Sequence, residues 1–100
     1  MAAYFVWHNR ILDAAKMQEY VPKALATLTP YQPEVLVFDE NSKVIEGSTP
    51  WPRTIVVKFD SRDVAMAWYN SPAYQALLPL RLAATEGFGV LADGFVPPKS

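Results

Sequence analysis

The 100-residue chain has no cysteine and one histidine, His8. Without thiols no disulfide can brace the fold, and a transition-metal site would have to be assembled from carboxylates around His8. No His, Asp and Glu cluster has ligand spacing, so neither a metal nor any other cofactor is expected; His8 as an axial haem ligand would stand alone. Glycine is scarce too: Gly47, Gly87, Gly89 and Gly94 make no phosphate-cradling loop, and Gly87-x-Gly89 lacks the third glycine and following helix of a dinucleotide site. None of the five serines stands in a Gly-x-Ser-x-Gly elbow, which leaves nucleophilic hydrolysis unsupported. Basic charge is not in excess. Nine Lys and Arg, scattered among ten Asp and Glu, give nucleic acid no electrostatic footing. The apolar runs are far shorter than the roughly 20 residues needed to span a bilayer, so a membrane is not an expected partner. Residues Met1 to Trp7 lack a basic segment and the apolar stretch stops at His8, unlike a secretory signal. A cytoplasmic protein is the expectation.

What is present in quantity is apolar surface, 51% of residues with three tryptophans. A folded chain of this size hides only roughly two-thirds of the surface its unfolded form exposes. Part of the apolar surface is therefore expected to meet something other than the chain itself.

Residues Tyr4 to His8 read as a short strand buried on both faces. Asp13 is a candidate N-cap for a helix in which Ala14, Met17, Val21, Ala24 or Leu25, and Leu28 recur at three- and four-residue steps, and Pro22 is expected to kink or break it. After the stiff connector 30–33, Glu34 to Phe38 is a second strand, and Val44-Ile45-Glu46 is expected to continue the sheet beyond the polar turn at 39–42. Arg53 to Phe59 is the clearest strand. Ser61 caps a helix burying Val64, Ala65 and Trp68, with Asp63 favourable in its first turn. Ser71-Pro72 starts another with Tyr74, Leu77 and Leu78 inward, which Pro79 is expected to interrupt. Gly87 to Leu91 is a last strand, and residues 93–100 form a tail. The order βαββαβ is that of a ferredoxin-like, split βαβ unit, α+β in class, with a four-stranded antiparallel sheet and helices on one face, in a single domain over 1–100. The uncovered sheet face would account for the apolar surplus if it met a second copy.

The blocks Glu46-Gly47, Trp51-Pro52-Arg53, Val56-Val57-Lys58-Phe59, Ala67-Trp68-Tyr69-Asn70-Ser71-Pro72-Ala73-Tyr74-Gln75 and Leu80-Arg81-Leu82 resemble the family of small proteins grouped as domain of unknown function 1330, in the dimeric α/β-barrel superfamily. The resemblance spans residues 4 to 94 in element order and is most specific in Trp-Tyr-x-Ser-Pro-x-Tyr-Gln. The chain departs from the family's pattern at Tyr31-Gln32-Pro33, where members carry a Gly-Gly turn, and at Asp39-Glu40-Asn41, where they carry Arg-Gly-Gly. The resemblance implies a homodimer whose two sheets pack face to face, with a cavity in each protomer between sheet and helices. It implies no reaction, and function has to be argued from the site.

Four residues are candidates for chemistry. His8 is the one side chain whose unperturbed pKa lies near neutral, as a general base requires, or it is a strand-end histidine bonded to backbone or solvent. Asn9 alternates to the other face and is not expected to share its surroundings. Glu46 and Arg53 flank the 47–52 loop, either as a carboxylate and guanidinium that orient a carbonyl or carboxylate ligand or as a salt bridge pinning that loop. Tyr69 can donate to a developing oxyanion. Trp51, Trp68 and Tyr74 offer flat apolar walls for a small ligand, although aromatics at helical spacing also simply fill cores. Arg81 is either a ligand clamp or an interface ion pair. Two functions follow: a homodimeric protein acting without a cofactor, by acid/base chemistry as an isomerase, lyase or monooxygenase-like enzyme, on a small carbonyl, lactone or aromatic compound, or a non-catalytic binding or structural dimer.

Overall fold

The computed structural model of the chain describes residues 1–98; Lys99 and Ser100, the end of the expected tail, lie outside the described residues. Four strands, β1 (Ala3–Ile11), β2 (Glu34–Asp39), β3 (Arg53–Phe59) and β4 (Thr85–Asp93), form one antiparallel sheet in the order β2-β3-β1-β4. Helix α1 (Ala14–Leu28) connects β1 to β2, while α2 (Arg62–Tyr69) and α3 (Pro72–Ala84) connect β3 to β4. Asp13, Ser61 and Ser71 cap the three helices, each accepting a bond from a backbone N–H three residues on. A short 3-10 turn at Thr29–Tyr31 carries the chain out of α1. Gln32 then takes a left-handed φ of 49°, a conformation that glycine adopts without steric cost. No described helix is long and apolar enough to cross a membrane.

Neither internal proline breaks its helix in two. Helix α1 runs unbroken past Pro22 and α3 past Pro79. Pro22 and Pro79, together with Gln18 and Gln75 four residues earlier, all lie on exposed surface. Water can meet the carbonyls that the prolines leave without a backbone partner. The expected strand at Val44–Glu46 is absent. Residues 40–52 form a loop, closed by a bond from the Ser42 N–H to the Pro52 carbonyl.

Strand register sorts the sheet's side chains onto two faces. Toward the helices stand the rows Arg53–Asn9–Gly87, Phe38–Ile55–Trp7–Gly89 and Val35–Val57–Phe5–Leu91. A bulge at Leu36 resets the two-residue alternation of β2, so that Val35 and Phe38, three apart, both join this face. Phe5, Phe59, Trp68, Tyr74, Ala65 and Ala84, all buried, form the core between sheet and helices. Phe5 stacks on Trp7 at 4.8 Å between ring centroids, and Phe59 on Trp68 at 5.6 Å.

Over the opposite face the described residues place no helix, only Ser42 and Trp51 of the 40–52 loop against its Thr54–His8–Phe88 row. Its central row is four valines, Val37–Val56–Val6–Val90, one from each strand, with Val90 48% and Val37 38% exposed. Rows Asp39–Thr54–His8–Phe88 and Glu34–Lys58–Tyr4–Ala92 flank it. Strand β1 is therefore buried on one face rather than on both. The Cα trace measures 50 × 36 × 16 Å, the thickness of one sheet and one helix layer.

Candidate functional site

A cavity of about 100 Å³ opens between α1 and the helix-side face of the sheet. Its walls are mainly apolar, from Trp7, Leu28, Val35, Phe38, Ile55 and Trp68, and its polar members are Asn9, Tyr20, Arg53 and Arg81. A second cavity of about 220 Å³ shares Asn9 and Arg81 with the first and is bordered by Tyr69, Thr85, Gly87 and Gly89. Both glycines are required by close approach to β1: a Cβ on Gly89 would lie 2.6 Å from the Trp7 ring, and one on Gly87 would collide with the His8 carbonyl oxygen.

Arg53 is placed by β3 on the helix side and is only 6% exposed. Its Nη1 donates a long bond of 3.4 Å to Asn9 Oδ1, and its guanidinium lies 5.0 Å over the Phe38 ring. The nearest carboxylate, Glu40, is 4.0 Å from Nε and 65% exposed, leaving the buried Nε–H without a hydrogen-bond acceptor. Burial lowers the Arg53 pKa; Glu40 and Tyr20 oppose that effect and Arg81 adds to it. An arginine nevertheless stays charged. The cavity therefore contains a cation that the protein itself scarcely answers.

Beside it runs a directional chain of hydrogen bonds. Arg81 Nε donates to the Tyr74 hydroxyl at 3.1 Å, and the Tyr74 and Tyr20 hydroxyls are 2.7 Å apart. Tyr74 is fully buried and has no other hydroxyl partner among the described residues. An Arg N–H can only donate, so Tyr74 accepts from it. The bond between the two phenols can run either way; with Tyr74 as its donor no proton of the fully buried Tyr74 is left unpaired, and Tyr20, which lines the cavity, keeps its own proton for a ligand there. Burial, then the neighbouring Tyr74, push the Tyr20 pKa far above the ordinary tyrosine value, so this phenol acts as a donor throughout the physiological range.

The structure divides the residues singled out from the sequence. Arg53, Arg81 and Trp68 line the first cavity, Tyr69 and Arg81 the second, and Tyr74 stands behind Tyr20. Trp68 is also core: it is 2% exposed and its indole N–H donates to Thr27 Oγ1 at 3.0 Å. Arg81 makes no salt bridge among the described residues; its Nε partner is the Tyr74 phenol.

Glu46 is corrected: it is exposed in the 40–52 loop, and Glu40 is the acid beside Arg53. His8 and Trp51 are corrected as well. Strand alternation puts His8 on the uncovered face, where its Nδ1 lies 3.2 Å from Thr54 Oγ1 and its ring packs near Trp51 and Phe88. Trp51 is tied to the same side through Glu86. The thickness of the sheet separates His8 from Arg53, so the two cannot share a ligand within one protomer.

Two polar members of the cavity went unrecognised in the sequence. Tyr20 continues the Met17–Ala24–Leu28 stripe of α1, and that spacing was the signal for it. Asn9 was signalled by its alternation with His8, which puts it opposite Arg53 in the β1–β3 register.

Fold and site define a ferredoxin-like α+β protein with an apolar, cation-bearing cavity under its helices. The chain belongs to the family described as domain of unknown function 1330, whose model matches residues 2–95. A comparison with the curated proteins finds none that matches. Among solved structures, the chain is similar to a protein of unknown function, RPA0582, from Rhodopseudomonas palustris, with TM-score 0.80 and 13% identity over 96% of this chain and 84% of that one. It is also similar to SnoaB, a cofactor-independent oxygenase from Streptomyces nogalater, with TM-score 0.65 and 10% identity over 99% and 95% of the two chains. A dimeric ferredoxin-like protein of unknown function from Bacteroides fragilis aligns with TM-score 0.58 and 14% identity over 93% and 95%. At these identities the likeness concerns the fold.

Proposed function

We propose that this protein is a homodimer joined through its uncovered sheet faces, and that each protomer binds a small organic molecule in the helix-side cavity. The cavity carries the reading: apolar walls converge there with a few placed polar groups, the usual make-up of a small-molecule site. For the dimer, the support is the exposed valine row and its match to the apolar surplus. The dimeric state of the Bacteroides fragilis protein agrees with it.

Size-exclusion chromatography with light scattering should give about twice 11.2 kDa; a monomer at micromolar concentration would contradict the dimer. Val35 lies at the rim of the cavity and is 46% exposed. Val35→Trp should obstruct the cavity and abolish the thermal stabilisation that small aromatic compounds give the wild type. Stabilisation that survives in this variant would point to another site.

A second reading is a cofactor-free enzyme acting on a carbonyl, lactone or aromatic compound. It draws on the Arg81–Tyr74–Tyr20 chain, which can donate to a developing oxyanion, and on the oxygenase activity of SnoaB. In this reading Arg53 and Tyr20 polarise the substrate, and Tyr69 borders the adjoining space. Binding is the better-supported reading, because the polar groups of the cavity are mostly donors and no base stands among them. Turnover of any such compound by the purified protein, lost in Tyr20→Phe, would promote the second reading over the first.

A further inference from the structure

We infer that the ligand of the helix-side cavity is a small monocarboxylate with a flat apolar body, its carboxylate held by Arg53, Tyr20 and Arg81. The inference rests on the reading of this cavity as a small-molecule site and adds the chemical class of the occupant.

Donors and acceptors at the site do not balance. Buried polar groups in folded proteins nearly always find partners. Here the Arg53 Nε–H is buried with none. With Tyr74 donating to Tyr20, the direction that leaves no buried Tyr74 proton unpaired, the Tyr20 proton is available to the cavity. Arg81 commits its Nε to Tyr74 and borders both cavities with the rest of its guanidinium. Against these donors the site's side-chain acceptors are already engaged, Asn9 Oδ1 by Arg53 and the Tyr74 and Tyr20 hydroxyls by Arg81 and by one another. The charges are equally one-sided, two guanidiniums against the exposed Glu40 at 4.0 Å. Keeping a buried cation without a partner is costly, and an incoming anion removes that cost. Two oxygens on one planar head suit a guanidinium fork with a phenol beside it.

The rest of the cavity selects the body of the ligand. Beyond the donors its walls are Trp7, Trp68, Phe38, Ile55 and Leu28, with no further charge. Such walls disfavour inorganic phosphate, whose remaining charged oxygens would meet hydrocarbon. They accept an aromatic ring or a short unsaturated chain. The space of about 100 Å³ is below the roughly 150 Å³ of an engineered cavity that takes benzene, so a single ring fills it and the carboxylate has to project toward the adjoining cavity that Asn9 and Arg81 also border.

Titration calorimetry of the full chain with benzoate and with benzamide, its neutral near-isostere, tests this. Benzoate is expected to bind at least tenfold more tightly, with the difference shrinking as salt is added. Arg53→Met should lower benzoate affinity at least tenfold, leave benzamide within twofold, and so erase the preference. Arg81→Gln and Tyr20→Phe, which do not disturb a buried cation, should each cost benzoate several-fold and keep the test valid if Arg53→Met does not fold. Equal affinity for the two probes, abolished in Val35→Trp, would overturn the carboxylate inference and leave the cavity reading standing. Failure of both probes and of a broader aromatic set to bind would overturn the cavity reading itself. Benzoate binding unchanged in all three polar variants would show that the anion sits elsewhere and overturn the inference.

Discussion

The two faces of one sheet, drawn from the same strands, have opposite fates. On the helix side Phe5, Ile55, Val57 and Phe59 are buried to 8% exposure or less, and the polar pair Asn9 and Arg53 is buried with them. On the other side Phe88 is 51% and Val90 48% exposed, and the row beside the valines includes His8 and Thr54. The covered face spends its apolar surface on a core and retains an unanswered charge. The uncovered face retains unanswered apolar surface. On the proposed reading each face takes a partner of a different chemistry, an anion for the first and a hydrophobic surface for the second. Val37, Phe88 and Val90 are the part of the apolar surplus that belongs to the second.

The most disruptive way to break this comparison is a charge in the valine row. Val56→Glu should convert the proposed dimer to a species of 11.2 kDa by light scattering, because an unpaired carboxylate at the centre of a closed sheet-to-sheet contact is strongly unfavourable. A dimer that persists would put the interface elsewhere. Next in size is truncation on the covered side. Trp68→Ala removes an indole that touches Phe5, Trp7, Phe59 and Tyr74, and should lower stability by about 3–5 kcal/mol in urea titration; a loss below about 1 kcal/mol would mean that α2 is not part of the core.

Arg53→Met sharpens the comparison by its opposite sign. If Arg53 is kept for a ligand rather than for the fold, replacing it with an apolar side chain should raise stability without ligand by roughly 1 kcal/mol or more. A marked loss would show that Arg53 serves the fold instead.

The smallest effect belongs to the edge of the uncovered face. Glu86 accepts from the Trp51 indole and from Arg10, and these contacts lower its pKa from 4.5. A carboxyl with a depressed pKa in the folded state stabilises the protein above its unfolded pKa, and that contribution disappears as pH falls through the folded value. Trp51 fluorescence should therefore change below pH 4.5, less so at high salt because the groups are exposed, and Glu86→Gln should remove the transition. A transition unchanged in Glu86→Gln would assign it to another group.

Much of the fold was legible in the sequence, because its punctuation is local. Asp13, Ser61 and Ser71 announce the helices, Pro30 and Pro33 close off the first, and the β-branched run at 53–59 can hardly be anything but a strand. The internal prolines misled because a missing N–H matters less where water can reach the bereft carbonyl, and whether Pro22 and Pro79 lie outward is a tertiary fact. Val44-Ile45-Glu46 has strand composition, yet the loop bond between Ser42 and Pro52 holds the chain away from the sheet.

The site was legible only in part. Alternation shows that His8 and Asn9 lie on opposite faces, but Ala3, Phe5 and Trp7 are scarcely more apolar than Tyr4 and Val6, so the sequence does not reveal which face the helices cover. Chemistry favoured His8, and packing put Asn9 in the cavity. Arg53, Arg81 and Trp68 reached the cavity through strand register and helix spacing, while the role of Tyr20 depends on a proton count that needs the contact between α1 and α3.

An NMR titration of the uniformly labelled protein with benzoate asks which face is the site. The expected result is movement of the Trp7 indole, the Arg53 Nε–H and the Asn9 amide on the helix side, with the His8 ring and the Phe88 signals unmoved. Movement of His8, Thr54 and Phe88 with Trp7 and Arg53 still would place the ligand on the uncovered face and contradict the division of labour between the two.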